Sequence, residues 1–273
     1  RSSEVTDDRT ALRVAFVGWG AIARTAAGML TDDSVAIVGV ATRDASTPRT
    51  GVPVGAALID APGELAATRP DVVAEASGRE SVEPWGHAAL RAGADFVVTS
   101  VSAFTDAEVL DSLRDRARWP AGRIHISPGA LAGVDALSAA RTMGIDTFDH
   151  HIVKPPAAWR GTPAESLCDL DALTEPTTFF RADAAETAAR FPKNANVAMT
   201  TALAGIGPEA TLVSLVADPA SSTNRHRIVA SGAFGTLDVS IANNPLPANP
   251  KTSAMAALSL VRAIRNRTSA IVI

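Results

Sequence analysis

His226 is one of five histidines in this sequence, and histidine suits proton transfer near neutral pH because its imidazole titrates there. It lies in the segment Asn-Arg-His-Arg-Ile that ends at Ile228, and on a strand His226 and Ile228 would share one face. Arg225 and Arg227 would then take the other face. From spacing alone two interpretations stay open: a core histidine held by a hydrogen bond, or a general acid or base beside a cleft.

His150 and His151 form a second histidine-bearing segment, Asp-His-His-Ile-Val-Lys, that ends at Lys154. Adjacent residues of a strand point to opposite faces, so only one of these two rings can reach the cleft. The histidines are too scattered to form a ligand set, and no metal site is predicted.

Several cations are candidates for binding the carboxylate of a small acid, and each can also be an ordinary solvated charge. Asn249 is predicted to cap a long C-terminal helix that Pro250 begins, which puts Lys251 in its first turn. A cation there opposes the helix dipole, and a bound anion would remove that penalty. The candidates are Lys154, Lys193, Lys251, Arg225 and Arg227.

Two asparagines stand in the polar segment Phe-Pro-Lys-Asn-Ala-Asn-Val, just before an apolar helical stretch. Asn194 or Asn196 can cap that helix, since asparagine is a preferred N-cap residue. Alternatively, one of the two amides donates a hydrogen bond to the carboxamide or ribose of a nicotinamide cofactor.

A glycine-rich turn near the start of the sequence offers a place for such a cofactor. The apolar run Val14–Val17 leads into Gly-Trp-Gly-Ala-Ile-Ala, and a helical pattern follows. Gly18 allows the sharp turn, and Gly20 lets the backbone approach a pyrophosphate. The anion would sit on the first helical N–H groups, at Ala21 and Ile22. The alternative is an ordinary turn between a strand and a helix.

The second apolar run, Val35–Ala41, ends in Thr-Arg-Asp, and the residues at this point of a dinucleotide-binding unit select the cofactor. An acid such as Asp44 binds a ribose 2′-hydroxyl, whereas an arginine such as Arg43 favours a 2′-phosphate. The two signals are adjacent, so the choice between NAD and NADP stays open, and both charges can also be solvated loop residues.

Strands alternate with helical segments up to about residue 130, which predicts a doubly wound parallel sheet of the Rossmann type. Ligands of such sheets lie beyond the carboxyl ends of the strands. Ser77, the segment 100–102 and the segment 128–130 would all project there.

From about residue 145 the sequence changes to strand-like segments with one or two helices between them. This pattern predicts an α+β unit with a mostly antiparallel sheet. We expect a dinucleotide-binding domain over 1–130, a catalytic, substrate-binding and dimerisation domain over 131–248, and a C-terminal segment, 249–273, whose helix returns to the first domain. The predicted strands lie at 147–153, 177–181, 210–216, 225–230 and 235–241.

The composition limits the class of protein. The 273 residues are 47% hydrophobic with a net charge of −4, and no basic block argues for nucleic acid binding. No apolar run approaches the length of a membrane span, and the polar first ten residues do not resemble a signal peptide. The single cysteine, Cys168, excludes an internal disulfide and fits a cytoplasmic location. Its acidic surroundings do not favour a thiolate.

Several motifs lie in order along about residues 12–266: the Gly18–Ala23 turn, Ser127–Ala130, Phe191–Val197, Asn224-x-His226-x-Ile228, Gly232-x-Phe234-Gly235 and Asn244–Ser253. Taken together they resemble the L-aspartate dehydrogenase family. The resemblance implies NAD(P)-dependent oxidation of L-aspartate to iminosuccinate, which water converts to oxaloacetate and ammonia, in the service of NAD biosynthesis. It also implies that His226 is the catalytic histidine, that NAD contacts the Ala130 backbone amide and Asn196, and that the protein is a homodimer.

Within this interpretation the two carboxylates of the substrate need cationic or helix-N-terminal partners. We expect Lys154 to bind one of them. The turn that carries Asn249, Lys251, Thr252 and Ser253 is expected to bind the other.

Two alternatives are kept. The motif His150-His151-x-x-Lys154 resembles the signature of dihydrodipicolinate reductases, although the following Pro155–Ala158 departs from that family's continuation. The other alternative is a non-catalytic sensor that binds NAD(H) without oxidising an amino acid.

Overall fold

The apolar runs of the first half form a six-stranded parallel sheet in the computed structural model, which describes residues 11–117 and 122–273 apart from the side chains of residues 250 and 251. The strand order, β3-β2-β1-β4-β5-β6, is that of a dinucleotide-binding sheet. The strands are β1 (Leu12–Val17), β2 (Val35–Ala41), β3 (Ala57–Ile59), β4 (Val72–Glu75), β5 (Asp95–Val98) and β6 (Ile124–Ile126). The three-residue β3 was not predicted.

Helices cover both faces of this sheet, so the predicted doubly wound architecture is confirmed. On one face α2 (Arg79–Arg91) and α3 (Ala107–Arg116) bury Trp85 and Leu113 against the sheet. On the other face α1 (Ala21–Met29) packs beside the C-terminal helix.

The second half contains a five-stranded sheet of order β11-β10-β7-β9-β8. Only the β7–β9 pairing is parallel, which confirms the prediction of a mostly antiparallel sheet. Helices α5 (Ala184–Arg190) and α6 (Ala195–Ala204) pack on one face, and α4 (Val134–Ala140) lies beside α6. The strands are β7 (Thr147–Lys154), β8 (Thr177–Asp183), β9 (Leu212–Ala217), β10 (Asn224–Gly232) and β11 (Gly235–Asn243).

The C-terminal helix begins later than the sequence predicted. Pairing between β12 (Pro245–Leu246) and β13 (Asn249–Ser253) forms a small antiparallel sheet, and α7 starts only at Ala254. Ser253 is its N-cap, since the Ser253 hydroxyl accepts a hydrogen bond from the Met255 N–H. The prediction that Asn249 caps the helix and Pro250 begins it was therefore wrong, because strand pairing competes with the capping chemistry of Asn-Pro.

Helix α7 (Ala254–Arg265) lies on the first sheet rather than on the second. Leu260, Val261 and Ile264 form one apolar cluster with Phe16 and Ala26 of the first half. Within the described residues, no helix is both long and apolar enough to cross a membrane.

Candidate active site

The turn between β1 and α1 has the geometry that its glycines suggested. Gly18 adopts φ +89°, and a Cβ built on it would lie 2.6 Å from the Ser77 Cβ, so only glycine fits. At Gly20 a built Cβ would meet no atom within 4 Å. No side chain caps α1 at this end, and its first turn carries no acid. The open space and the free N–H groups suit a pyrophosphate.

A cleft of about 690 Å³ lies at the carboxyl ends of these strands. Four of the predicted cofactor residues line it: Gly18, Gly20, Arg43 and Ser77. The other four lie elsewhere: Ala21 and Ile22 form the first turn of α1, and Ala130 and Asn196 belong to neighbouring elements. The remaining lining residues are Val17, Trp19, Ala41, Thr42, Arg49, Asp60, Ala76, Gly78, Glu80, Ser81 and Trp85.

Arg43 and Asp44, the adjacent charges that left the choice between NAD and NADP open, have different surroundings. Arg43 lines the cleft, with Arg49 as a second cation. The Asp44 carboxylate instead accepts hydrogen bonds from the Ser46 hydroxyl and N–H and from the Thr47 hydroxyl, which lower the pKa of Asp44 to about 2. The Asp44 carboxylate is therefore already hydrogen-bonded within its own turn.

Glu75 is a buried carboxylate that the sequence reasoning missed. Its Oε1 accepts hydrogen bonds from the N–H groups of Ser77 and Gly78 and from the Ser100 hydroxyl, while Oε2 accepts from the Ser100 N–H. Glu75 thus joins the loops that follow β4 and β5. Its signal in the sequence was an acid at the end of an otherwise apolar strand.

The two asparagines of the segment before α6 have different roles, and neither side chain caps that helix as one alternative had it. The Asn196 Oδ1 accepts a hydrogen bond of 2.8 Å from the Ser102 N–H, which ties α6 to the loop after β5. The buried Asn194 accepts a hydrogen bond of 2.6 Å from Lys154 Nζ.

The register between β7 and β10 brings the second set of candidates together. His226 pairs with Ile152, so His150 and Lys154, each two residues away on β7, lie diagonally from His226 on the same face. His150 Nε2 is 3.2 Å from His226 Nδ1, and His150 Nδ1 is 3.1 Å from the Thr201 hydroxyl on α6. His151 lies on the opposite face beside Asp149. The ring that reaches the site is therefore His150.

Burial makes these rings poor proton acceptors in the free protein. Burial, reinforced by the charge of Lys154, lowers the pKa of His226 to about 3. Burial, followed by His226 and His151, lowers the pKa of His150 well below its usual value. Burial and the neighbouring Lys193 lower the pKa of Lys154 to about 8. At neutral pH both rings are neutral and Lys154 is mostly charged.

Asn243, also missed by the sequence reasoning, links two of the predicted ligands. Its Nδ2 donates to the Ala130 carbonyl at 3.0 Å, and its Oδ1 accepts from the Ser253 hydroxyl at 2.9 Å. Asn249 Nδ2 donates to the Thr252 hydroxyl. Lys251 falls on β13, outside any helix, so the dipole argument made for it was wrong; its side chain lies outside the described part of the structure.

The two candidate arginines are engaged elsewhere. Arg225 pairs with Asp218, and Arg227 pairs with Asp238 on the neighbouring strand. Burial and Asp169 raise the pKa of Cys168, as expected for a thiol that is not a thiolate nucleophile.

Hydrogen bonds together with helix α6 connect the cofactor cleft with the histidine pair. Glu75 joins the Ser77 loop to Ser100, and Ser102 in the adjoining 3₁₀ turn binds Asn196 on α6. The same helix then carries Thr201 to His150. Helix α6 is thus the element that couples the two halves of the site.

Comparison with known proteins bears directly on this arrangement. A family model described as "Aspartate dehydrogenase, C-terminal" matches residues 135–267, and one described as "Homoserine dehydrogenase, NAD binding domain" matches residues 18–127. The L-aspartate dehydrogenase of Brucella anthropi is 50% identical over 262 residues, covering 95% of this chain and 98% of that protein. The chain belongs to the L-aspartate dehydrogenase family.

Further members of the L-aspartate dehydrogenase family align over nearly the full chain. The protein named L-aspartate dehydrogenase from a Polaromonas species is 41% identical, covering 96% of this chain and all of that protein. The protein named L-aspartate dehydrogenase from Cupriavidus necator is 40% identical, covering 95% of this chain and 99% of that protein.

Solved structures agree with the family at the level of fold. Aspartate dehydrogenase from Thermotoga maritima superposes with a TM-score of 0.75 at 24% identity, covering 96% of this chain and 99% of that one. A dihydrodipicolinate reductase from a Paenisporosarcina species reaches a TM-score of 0.51 at 12% identity, covering 94% of each chain. The likeness to the reductase is therefore one of fold alone.

Proposed function

We propose that this protein catalyses the reversible oxidative deamination of L-aspartate with NAD or NADP. L-aspartate and oxidised cofactor give iminosuccinate, reduced cofactor and two protons, both from the ammonium group; water then converts iminosuccinate to oxaloacetate and ammonia. The observation that carries the proposal is the buried, neutral His226 beside Lys154, in a chain that also presents a dinucleotide turn. The family of the chain supports the same activity.

The cofactor would lie along the cleft, with its pyrophosphate over Gly20 and on the N–H groups of Ala21 and Ile22. When bound, it accepts the hydride that leaves the α-carbon of the substrate. Arg43 would contact the adenosine half of the cofactor, and Ser77 would contact its central part. The Ala130 N–H and the free amide N–H₂ of Asn196 would hold the nicotinamide end.

The substrate offers two carboxylates, and Lys154 is the proposed partner of one of them. Its ammonium group is already oriented by Asn194 Oδ1 and lies 4.8 Å from the centre of the Trp159 ring. For the other carboxylate we propose the segment that carries Asn249, Lys251, Thr252 and Ser253. The support for this segment is its link through Asn243 to Ala130.

His226 acts in this proposal as the general base or acid for the substrate amine, or for the water that attacks the imine. A pKa of about 3 describes the free protein, in which the charge of Lys154 opposes protonation. A carboxylate of the substrate on Lys154 offsets that charge and raises the pKa of His226. The histidine therefore becomes a stronger base when the substrate arrives.

We propose that residues 1–130 bind the cofactor, that 131–248 carry catalysis and dimerisation, and that 249–273 close the first domain. A homodimer, a cytoplasmic location and a role in NAD biosynthesis follow from the family resemblance, and the single Cys168 fits a reducing compartment.

The proposal is tested by following cofactor reduction with L-aspartate, D-aspartate, L-glutamate or L-homoserine, each with NAD and with NADP. We expect turnover with L-aspartate and, in the reverse direction, with oxaloacetate plus ammonium. A protein that binds NADH but turns over none of these substrates in either direction would be a sensor rather than a dehydrogenase. The choice of active cofactor would decide between NAD and NADP in the same experiment.

A further inference from the structure

We propose that Thr201 and His150 are positioning residues that fix the ring tautomer of His226, so that its Nε2 presents a lone pair to the substrate. This inference rests on the proposed role of His226 as the proton-transferring group. Neither Thr201 nor His150 would touch the reacting atoms. They act through hydrogen bonds that run from α6 across β7 to β10.

The first step is the direction of the Thr201 hydroxyl proton. Thr201 Oγ1 lies 3.0 Å from the Ala198 carbonyl oxygen and 3.2 Å from that of Val197. Carbonyl oxygens only accept, and a hydroxyl has one proton, so this proton points to the carbonyls. The third neighbour, Nδ1 of His150 at 3.1 Å, must therefore bring its own proton and donate to Thr201.

The second step follows from the neutrality of His150. The ring has no exposed surface, and burial lowers its pKa well below the usual value, so only one nitrogen carries a proton. With that proton on Nδ1, the Nε2 of His150 is an acceptor. His226 Nδ1, 3.2 Å away, must donate to it.

The last step leaves His226 with a bare Nε2. The His226 ring is also neutral, so a proton on Nδ1 means a lone pair on Nε2. No described residue forms a hydrogen bond with this Nε2, and no described carboxylate forms an ion pair with either ring. In the familiar catalytic triad, a carboxylate orients the histidine that receives the substrate proton. Here a neutral histidine–threonine pair orients it instead.

The charged and titratable groups that face the pair support this assignment. Lys154 lies on the same face of β7, and its charge disfavours a second proton on His226, whereas Lys193 acts on Lys154, whose pKa it helps to lower. His151 is on the opposite face of the sheet. The free lone pair is therefore retained until a negatively charged substrate binds.

The direct test is ¹⁵N NMR of the histidine rings, since the chain has only five histidines. Long-range proton–nitrogen correlations report which ring nitrogen carries the proton, and the His226→Asn variant identifies the His226 signal. At neutral pH we expect protons on Nδ1 of both His150 and His226. A proton on Nε2 of His226 would overturn the proposal, whether or not the protein oxidises L-aspartate.

Kinetics of matched variants test whether the tautomer matters. His150→Leu removes the acceptor, and we expect kcat to fall by about a hundredfold with little change in the KM for the cofactor. His150→Gln restores an acceptor oxygen near the Nε2 position and should recover kcat to within about tenfold of the original. Equal kcat for the leucine variant and the unaltered protein would contradict the proposal.

Thr201→Val and Thr201→Ser form the second matched pair. Valine keeps the shape of threonine without the hydroxyl, so the His226 signal should show a mixture of tautomers and kcat should fall. Serine keeps the hydroxyl and should leave both unchanged. Circular dichroism and NADH binding check the fold of each variant; a uniform loss of kcat in both Thr201 variants, with unchanged NMR signals, would indicate a packing role only.

Discussion

The rings of His150 and His226 pack together on one face of the second sheet, with their centroids 5.4 Å apart and their planes tilted by 46°. The two residues are 76 positions apart in sequence, and only the antiparallel register of β7 and β10 brings them together. The same register sets Lys154 beside His226. A proton-transferring ring and a cation for a carboxylate therefore arise from one strand pairing.

Lys154 should control the binding of dicarboxylates in a pH-dependent way. Burial lowers its pKa to about 8, so in the free protein the positive charge is present below that pH and is lost above it. The inhibition constant of succinate, which has no amine, should be constant at about pH 6–7 and rise above about pH 8. Competition kinetics against L-aspartate measure this constant.

Lys154→Arg and Lys154→Met are the matched variants for that prediction. Arginine stays charged throughout, so its succinate constant should be independent of pH up to about pH 10. Methionine should bind succinate at least about tenfold more weakly than the unaltered protein at pH 6–7, and this difference should shrink above about pH 8, where Lys154 loses its charge. If the arginine variant keeps the rise above pH 8, another group is responsible.

Gly18 and Gly20 should respond differently to alanine. At Gly18 the new Cβ would lie 2.6 Å from the Ser77 Cβ in a left-handed backbone region, and we expect a loss of about 2–4 kcal/mol in the free energy of unfolding. At Gly20 the space is open, so the stability should change by less than about 1 kcal/mol.

The Gly20→Ala variant should nevertheless bind NADH at least about tenfold more weakly, because its methyl group takes the space proposed for the pyrophosphate. Denaturant unfolding and NADH fluorescence separate the two effects. Unchanged NADH affinity in a folded Gly20→Ala protein would place the cofactor elsewhere.

Arg43 should discriminate between the two cofactors. It lines the cleft, whereas the carboxylate of Asp44 is bound by Ser46 and Thr47. Arg43→Glu should lower kcat/KM for NADP by at least about tenfold and affect NAD less, since only NADP carries the 2′-phosphate. Asp44→Asn is the control and should leave the ratio of the two values unchanged; the reverse pattern would assign the selection to Asp44.

Glu75→Gln should destabilise the fold and weaken cofactor binding together. Both carboxylate oxygens accept hydrogen bonds from N–H groups, so an amide N–H₂ would face at least one donor without an acceptor. We expect a loss of about 2–4 kcal/mol in thermal or denaturant unfolding. The exposed Glu186→Gln, on α5, should cost less than about 0.5 kcal/mol.

Much of the fold could be predicted from local patterns. Apolar runs, turn glycines and alternating polarity specify strands and helices through interactions of near neighbours. The parallel first sheet follows because strands alternate with helices, and the shared face of His226 and Ile228 follows from the period of a strand. These features need no knowledge of distant contacts.

The missed residues depend on distant contacts. Asn243 binds Ala130 across 113 positions, and Thr201 reaches His150 across 51. Nothing near either residue in sequence signals its partner. The start of α7 was misjudged for a related reason: Asn249-Pro250 has good capping chemistry, but pairing with β12 satisfies the same backbone groups in a strand.

The central claim is that His226 transfers the proton in the oxidation of L-aspartate, and His226→Asn tests it most directly. The asparagine Nδ2 can still donate to His150, so the fold should survive. We predict that turnover of L-aspartate falls by at least about a hundredfold while NADH binds with unchanged affinity. Turnover near that of the unaltered protein, or loss of turnover together with NADH binding, would contradict a catalytic role for His226.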